Sequence, residues 1–214
     1  TMADAMANSC NCAFAEMAVE QLDYDFLRKT AESLGFNTEM KAELPFMESL
    51  FDLDKNTADQ LAMQTAIGQG DTMATPMLMC MIADAVANGG NMMMPLFTEE
   101  IRSADGRSVS KPSGSSFGQV MTTEEAEQIK ELLYGVVRYG TAYELSDLPY
   151  SIAGKTGTAE YGDVAYGQSH SWFVGFSNTG NNDIVVSVLV EDGGNGTLYG
   201  TTVARQIFQA WFGV

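Results

Sequence analysis

The residues best suited to chemistry in this chain lie in one short stretch, Gly154-Lys155-Thr156-Gly157-Thr158. It combines an ammonium group, two hydroxyls and two glycines, which is too much polar chemistry for a core strand. Glycine has no Cβ, so another backbone can lie against such a strand and pair with it. Lysine adds a positive charge, a threonine hydroxyl can bind a carboxylate, and a backbone N–H can hold a developing oxyanion. We therefore predict a binding edge for an acidic peptide.

Lys155-Thr156-Gly157 is also one of the three sequence signatures of the serine penicillin-interacting enzymes, alongside Ser-x-x-Lys and Ser-x-Asn. Further segments match these proteins, and they follow the same order along nearly the whole chain. They are Asn8-Ser9-Cys10-Asn11, Ile67-Gly68-Gln69-Gly70, Thr75-Pro76, Ala87-Asn88-Gly89-Gly90, Gly140-Thr141-Ala142 and the segment 169–176. On these motifs the chain resembles the transpeptidase domain of class B penicillin-binding proteins.

The resemblance implies acyl transfer through a serine ester, with three catalytic residues in this chain. Ser9 and Asn11 match the family's Ser-x-Asn motif, which lies on the helical side of a cleft and faces Lys155. Ser9 would relay a proton toward the leaving amine, while Lys155 holds its hydroxyl. Asn11 would donate a side-chain hydrogen bond to the backbone of the bound peptide.

The substrate-binding residues implied by the resemblance are Thr156, Gly157 and Thr158. The two threonines would hold the carboxylate of the substrate or drug, and the Thr158 N–H would donate to the oxyanion. Gly157 would leave room for the peptide backbone. The implied ligands are peptidoglycan stem peptides and β-lactams, with no cofactor and no metal.

The Ser-x-x-Lys motif, which carries the family's nucleophilic serine, should lie upstream of Ser9. The sole string of that form here, Ser108-Val109-Ser110-Lys111, lies downstream in a polar region without an apolar helix. We interpret it as a coincidence, because a motif counts only in its structural context. We therefore expect the chain to be the C-terminal part of a transpeptidase domain that does not acylate by itself.

Two of these residue assignments have simpler interpretations. Ser9-Cys10-Asn11 also fits a turn that caps a helix, where serine and asparagine are common. His170 is the only histidine in the chain and could act as a general base. A packing role at the edge of the site is favoured instead, because a lone histidine proves little and the family's base is a lysine.

Three functions are compatible with these residues. The leading one is a D,D-transpeptidase that cross-links stem peptides. A non-catalytic penicillin-sensing or peptide-binding module of the same fold is favoured only by the absent nucleophile. A serine β-lactamase would need a deacylating base, and the sequence offers no residue for it.

Composition narrows the partners further. A net charge of −17 over 214 residues argues against nucleic acid and anionic lipid as ligands. No apolar run approaches the roughly 20 residues that cross a bilayer, so we expect any membrane anchor to lie outside the chain. Cys10 and Cys12 with a single histidine do not make a zinc site. The resemblance implies an extracytoplasmic, membrane-anchored parent protein that works with other cell-wall synthesis proteins.

Capping signals and apolar spacing predict where the helices lie. The predicted helices cover residues 13–22, 23–34, 57–67, 75–86, 122–140 and 202–211. The last should pack on a sheet through Val203, Ile207, Phe208 and Trp211. Thr57 and Thr122 are each expected to open a capping box, and residues 91–121 are expected to be mostly coil.

Three strands are predicted in the last third of the chain. They are the strand containing Lys155, then 172–176 after a polar loop over 161–168, and 184–190. The last strand is apolar on both faces, so we expect it to be central and covered on both sides. Short connections between the strands indicate an antiparallel sheet.

The predicted fold class is α/β of the α+β type, with an antiparallel β-sheet flanked by helices and a separate helical lobe. This is the β-lactamase/transpeptidase-like architecture that the resemblance implies, with the N-terminal part of the domain missing. We predict one partial domain over residues 1–214, with a helical lobe over about 1–145 and the sheet and closing helix over about 146–214.

Overall fold

The computed structural model describes residues 1–162, 168–180, 183–194 and 198–214, and this part of the chain is a mixed α/β protein. Its helices are α1 (Met2–Ala7), α2 (Asn11–Glu20), α3 (Tyr24–Ser33), α4 (Asp59–Ala66), α5 (Pro76–Ala87), α6 (Thr123–Tyr139) and α7 (Tyr199–Phe212). Its strands are β1 (Asn91–Met93), β2 (Ile101–Arg102), β3 (Ser108–Ser110), β4 (Ser116–Gln119), β5 (Ala153–Glu160), β6 (Ser169–Ser177) and β7 (Ile184–Val190). Most of the predicted loop over 161–168 lies outside the described residues.

Strands β5, β6 and β7 form the predicted antiparallel sheet. Lys155 of β5 lies opposite Val174 of β6, and Phe173 of β6 lies opposite Val188 of β7. In the described residues β6 is the central strand, so the prediction that β7 is central is wrong for this sheet. Apolar residues on both faces of a strand indicate that both faces are covered, but they do not indicate whether the strand has a hydrogen-bonded neighbour on each side.

Helices cover both faces of the sheet. On one face Phe173 and Val188 pack with Phe208 of α7. On the other face Phe176 packs with Val86 of α5. Phe173 and Phe176 are an odd number of residues apart on β6 and thus enter different hydrophobic clusters, as the alternation of side chains along a strand requires. With β6 and β7 held between α5 and α7, the sheet is a firm support for β5 at its edge.

Helix α7 packs on the sheet through a different face from the predicted one. Its buried residues are Gly200, Thr201, Ala204 and Phe208. Of the four predicted contacts only Phe208 is buried, since Val203, Ile207 and Trp211 are 37, 37 and 49% exposed. A Cβ at Gly200 would lie 2.7 Å from the backbone carbonyl carbon of Trp172. The close approach of the helix to β6 therefore selects the face with small residues.

Three of the six predicted helix starts are confirmed by their N-caps. The side chains of Asp23, Thr75 and Thr122 each accept a hydrogen bond from the backbone N–H three residues further on, and Thr122 forms the predicted capping box. The capping box predicted at Thr57 is wrong. The N-cap of α4 is Ala58, which makes no side-chain bond, because the Thr57 hydroxyl is engaged in the preceding turn.

Residues 91–121, predicted to be mostly coil, contain four short strands. β1 pairs with β4, and β2 pairs with β3, each as an antiparallel pair. Every residue of β3 is exposed, so the alternation of buried and exposed side chains that marks a half-buried strand is absent. Main-chain pairing of this kind leaves little trace in the sequence.

The backbones of α1 and of the end of α6 touch at Gly140. The Thr141 N–H donates to the Ala7 carbonyl at 2.9 Å, and Ala7 is fully buried. A Cβ at Gly140 would lie 2.2 Å from the same carbonyl oxygen, so only glycine fits. This junction fixes the end of α1 and, with it, the position of Ser9 in the next turn.

Replacing Gly140 by alanine should lower the free energy of unfolding by about 1–3 kcal/mol, because the added methyl group overlaps a backbone oxygen that cannot move without shifting α1. Urea unfolding followed by circular dichroism measures this. Gly114→Ala is the matched control, since a Cβ there would lie 3.6 Å from the end of the Met93 side chain and should change stability by less than about 0.5 kcal/mol. Equal stability of the two variants would show that the junction is loosely packed.

Candidate active site

The ammonium group of Lys155 meets the hydroxyl of Ser9 across 146 residues of sequence. Lys155 Nζ donates to Ser9 Oγ at 2.9 Å and to the Thr156 carbonyl at 2.8 Å. Lys155 lies on β5, and Ser9 lies in the turn between α1 and α2. The structure therefore brings together the two segments that were predicted to face each other.

The turn at Ser9 has a constrained backbone. Ser9 has a φ of +53°, in the left-handed region that residues other than glycine seldom adopt. The N-cap of α2 is Cys10, and it makes no side-chain capping bond. The segment gives α2 no side-chain N-cap, but the Ser9 and Cys10 N–H groups donate to the Met6 and Ala5 carbonyls and so close the end of α1. Asn11 is exposed at the first residue of α2, where its amide can reach a ligand.

Burial lowers the pKa of Lys155 to about 8, from a usual value of about 10.4. The loss of solvating water disfavours the charged amine. Both of its hydrogen-bond acceptors, Ser9 Oγ and the Thr156 carbonyl, are neutral oxygens that offset this only in part. An amine with such a pKa can release and regain a proton near neutral pH, which a proton relay requires.

The hydroxyl of Thr156 is oriented by a residue to which the sequence assigned no role. Thr156 is buried, and its hydroxyl shares a hydrogen bond of 2.7 Å with the hydroxyl of Thr141. Thr141 belongs to the Gly140-Thr141-Ala142 motif, but its spacing from β5 gives no hint of this contact. The two side chains form one hydroxyl pair on the residue that follows Lys155 in β5.

The next residues of β5 border the helices on one side and β6 on the other. Thr158 is exposed, and its carbonyl accepts a hydrogen bond from Gln69 Nε2 at 3.0 Å. A Cβ at Gly157 would lie 3.1 Å from the Trp172 Cβ, so this position has little spare room. Gln69 is in the Ile67-Gly68-Gln69-Gly70 motif, and sequence reasoning missed its contact for the same reason as that of Thr141.

His170 is engaged in packing. Its ring stacks on Tyr161 with centroids 4.2 Å apart, and its Nδ1 accepts the Asp192 N–H at 3.2 Å. These contacts agree with the packing role that the sequence favours.

The Ser-x-x-Lys string at 108–111 begins on the exposed strand β3. It is therefore not at the start of an apolar helix, which agrees with its interpretation as a coincidence.

A cavity of about 570 Å³ lies beside the site. Its lining is largely apolar and includes Phe14, Leu27, Phe36 and Trp172, with Lys155 and the next residues of β5, 156–159, along one wall. Such a lining suits an apolar chain segment better than the charged end of a peptide, because an unpaired charge is costly to bury.

The described residues offer no evident metal site or membrane span. Among them, no three His, Cys, Asp or Glu side chains are grouped so that they could hold a metal ion. None of the described helices combines the length and apolar character that a membrane span requires.

The family model of the penicillin binding protein transpeptidase domain matches residues 1–212. The chain belongs to this family. It is similar to the peptidoglycan D,D-transpeptidase PbpA of Mycobacterium tuberculosis, with 31% identity over 196 residues, covering 90% of this chain and 39% of that protein. It is also 31% identical over 213 residues to the stage V sporulation protein D of Bacillus subtilis, covering 97% of this chain and 32% of that protein. The chain thus spans well under half the length of these relatives.

Solved structures show the same fold. The crystal structure of PBPA from Mycobacterium tuberculosis has a TM-score of 0.89 at 27% identity, covering 99% of this chain and 51% of that one. The D,D-transpeptidase domain of a peptidoglycan glycosyltransferase from Eggerthella lenta has a TM-score of 0.87 at 30% identity, covering 98% and 52%. The predicted fold class and the class B transpeptidase resemblance are confirmed. The division into lobes near residue 145 stays a prediction.

The lowered pKa of Lys155 should make stability depend on pH. Between about pH 8 and pH 10.4 the unfolded chain holds this proton more strongly than the folded chain, so the free energy of unfolding rises with pH. From pH 7.5 to 9.5 the wild type should gain about 1–2 kcal/mol relative to Lys155→Met, which lacks the amine. Urea unfolding at both pH values measures the difference.

The exposed residue Lys29 provides a control for that measurement. Lys29→Met should follow the wild type across the same pH range. Parallel pH profiles for the wild type and Lys155→Met would show that the amine is not desolvated.

Proposed function

We propose that the protein containing this chain is a peptidoglycan D,D-transpeptidase that cross-links stem peptides. The observation that carries the proposal is the Lys155–Ser9 hydrogen bond of 2.9 Å, because it sets a proton relay beside a strand edge able to hold a peptide. Membership of the transpeptidase family and 31% identity to PbpA support the same activity.

The first half of the reaction breaks the peptide bond before the terminal D-alanine. A serine oxygen attacks the carbonyl carbon while its proton passes to the lysine of its own Ser-x-x-Lys motif, the C–N bond breaks, and the released amine takes up a proton. We assign this transfer to Ser9, whose hydroxyl gives its proton to the amine and regains one from Lys155. The pKa of Lys155, lowered to about 8, makes its ammonium a better acid than that of an ordinary lysine.

The second half uses an amine from another stem peptide. That amine attacks the carbonyl carbon of the serine ester, a new C–N bond forms, and the ester C–O bond breaks. The attacking amine loses a proton, which Ser9 and Lys155 take up by the reverse of the first relay. The nucleophilic serine regains its proton from the lysine of the Ser-x-x-Lys motif as the product leaves, so the enzyme returns to its starting state.

The substrate is proposed to lie along β5. Thr156 and Thr158 bind the terminal carboxylate, and the bond between Thr156 and Thr141 orients the first of these hydroxyls. The Thr158 N–H donates to the oxyanion, and the Asn11 amide donates to the peptide backbone. Gly157 between the threonines keeps a side chain out of the path of the peptide.

The nucleophilic serine is proposed to come from a segment outside these 214 residues. The only string of the required form here starts on the exposed strand β3. The apolar cavity beside Lys155 and Trp172 supports this proposal, because an apolar helix would fill it and bring a serine to the relay. The chain alone is then not expected to form an acyl-enzyme.

The reaction is proposed to take place outside the cytoplasm, with the membrane anchor in another segment of the protein. β-Lactams would acylate the same serine. One structural neighbour, with a TM-score of 0.81 and 25% identity, belongs to a peptidoglycan synthase complex that coordinates polymerization and crosslinking. We extend this to the present protein and propose other cell-wall synthesis proteins as its partners.

Ser9→Ala in the full-length protein should slow acylation by a fluorescent penicillin about 100- to 1,000-fold, since the proton relay is lost. Gel fluorescence against time gives the rate. Ser113→Ala, at an exposed loop position, is the matched control and should react at the wild-type rate.

The outcomes of this experiment separate the alternatives. A full-length wild type that takes up no label would overturn the transpeptidase proposal. A labelled protein in which Ser9→Ala changes nothing would remove Ser9 from the relay. Binding of stem peptides without any turnover would favour a non-catalytic binding module.

A further inference from the structure

At the edge of β5 that faces away from β6, Gln69 makes a contact that the proposed reaction does not use. Gln69 Nε2 donates to the Thr158 carbonyl at 3.0 Å, across 89 residues of sequence. Gln69 lies in the turn after α4, and α4 packs against α2. The helical wall of the groove therefore reaches over the strand at a residue proposed to bind substrate.

The pairing of β5 with β6 shows which way this carbonyl points. In an antiparallel pair, residues alternate between partners that exchange both backbone hydrogen bonds and partners that exchange none. The Tyr161 N–H donates to the Gln168 carbonyl at 3.2 Å, and the register of β5 and β6 continues from there without a shift. Odd-numbered residues of β5 therefore bond to β6, while Thr158 and the other even-numbered residues face the open edge.

A peptide strand added to this edge opposite Thr158 must donate an N–H to the Thr158 carbonyl. The Gln69 amide already holds that acceptor, so it stands where a peptide amide would stand. Peptide binding would exchange one neutral N–H···O bond for another, and a bond of this kind contributes only modestly to stability. The contact is weak enough for a ligand to displace.

The turn that presents Gln69 has a constrained backbone, and the Gln69 side chain is only partly buried. Gly68 and Gly70 have φ values of +75° and +67°, which favour glycine on both sides of Gln69. The Gln69 N–H donates to the Gln64 carbonyl at 2.9 Å. A fixed backbone with a long, flexible amide is suited to a cap that swings aside and returns.

We infer that Gln69 is a displaceable cap on the substrate-binding edge of β5. Its amide holds the Thr158 carbonyl when no peptide is bound, and it gives the carbonyl up to the backbone N–H of an incoming stem peptide. The cap raises the peptide concentration that is needed for binding. It also prevents unrelated chains from pairing with the exposed edge of the strand. This inference rests on the proposed transpeptidase function.

The test measures how well a stem peptide ending in D-alanyl-D-alanine protects the full-length protein from a fluorescent penicillin. Gln69→Leu has a similar size but no donor, so the peptide no longer competes for the carbonyl. The stem-peptide concentration that halves the labelling by penicillin should fall about three- to tenfold. Gln128→Leu, exposed on α6, is the matched control and should leave it unchanged.

A second variant distinguishes loss of the hydrogen bond from the effect of an apolar side chain at position 69. Gln69→Asn keeps the amide but is one methylene shorter, so it cannot span to Thr158 from the fixed turn and should show the same gain. Unchanged or weaker protection in both variants overturns the inference. Weaker protection would show that the Gln69 contact helps to hold the binding site in shape, since its loss would then reduce peptide binding. Absence of labelling in the wild type would instead overturn the proposed function.

Discussion

The hydrogen bond from Lys155 to Ser9 is the interaction on which the arrangement of this site depends. It joins two elements that other contacts also position, and Thr141 links them through its bonds to Ala7 and Thr156. Strand β5 is positioned by β6 and β7, which lie between α5 and α7. The turn at Ser9 is positioned by the contact of Ala7 with Gly140 and Thr141. Loss of either support would separate the amine from the hydroxyl without changing either residue.

The burial of Lys155 also sets its acid–base chemistry. A carboxylate beside Lys155 would restore its pKa and hold its proton, as opposite charges generally do. The bonds to Ser9 Oγ and the Thr156 carbonyl leave the pKa lowered to about 8 instead. In a chain with a net charge of −17, a lysine with neutral partners has a distinct role. In the proposed reaction it supplies positive charge to a carboxylate ligand and remains able to exchange its proton.

Sequence reasoning predicted the features that local signals encode and missed those that depend on packing. The caps at Thr75 and Thr122 and the antiparallel order of β5, β6 and β7 follow from residues close together in the chain. The bonds of Thr141 to Thr156 and of Gln69 to β5 do not, because each joins segments whose approach is set by the tertiary fold. The buried face of α7 was mistaken because close contact with β6 favoured small residues over the larger apolar ones.

A double-mutant cycle across the groove tests whether the amine and the hydroxyl interact in solution. Urea unfolding of the wild-type chain, Ser9→Ala, Lys155→Met and the double variant at pH 7 gives the coupling free energy of the two side chains. A charge-assisted hydrogen bond predicts a coupling of about 1–3 kcal/mol. Effects that add to within about 0.5 kcal/mol would contradict the contact from which the proposed chemistry follows.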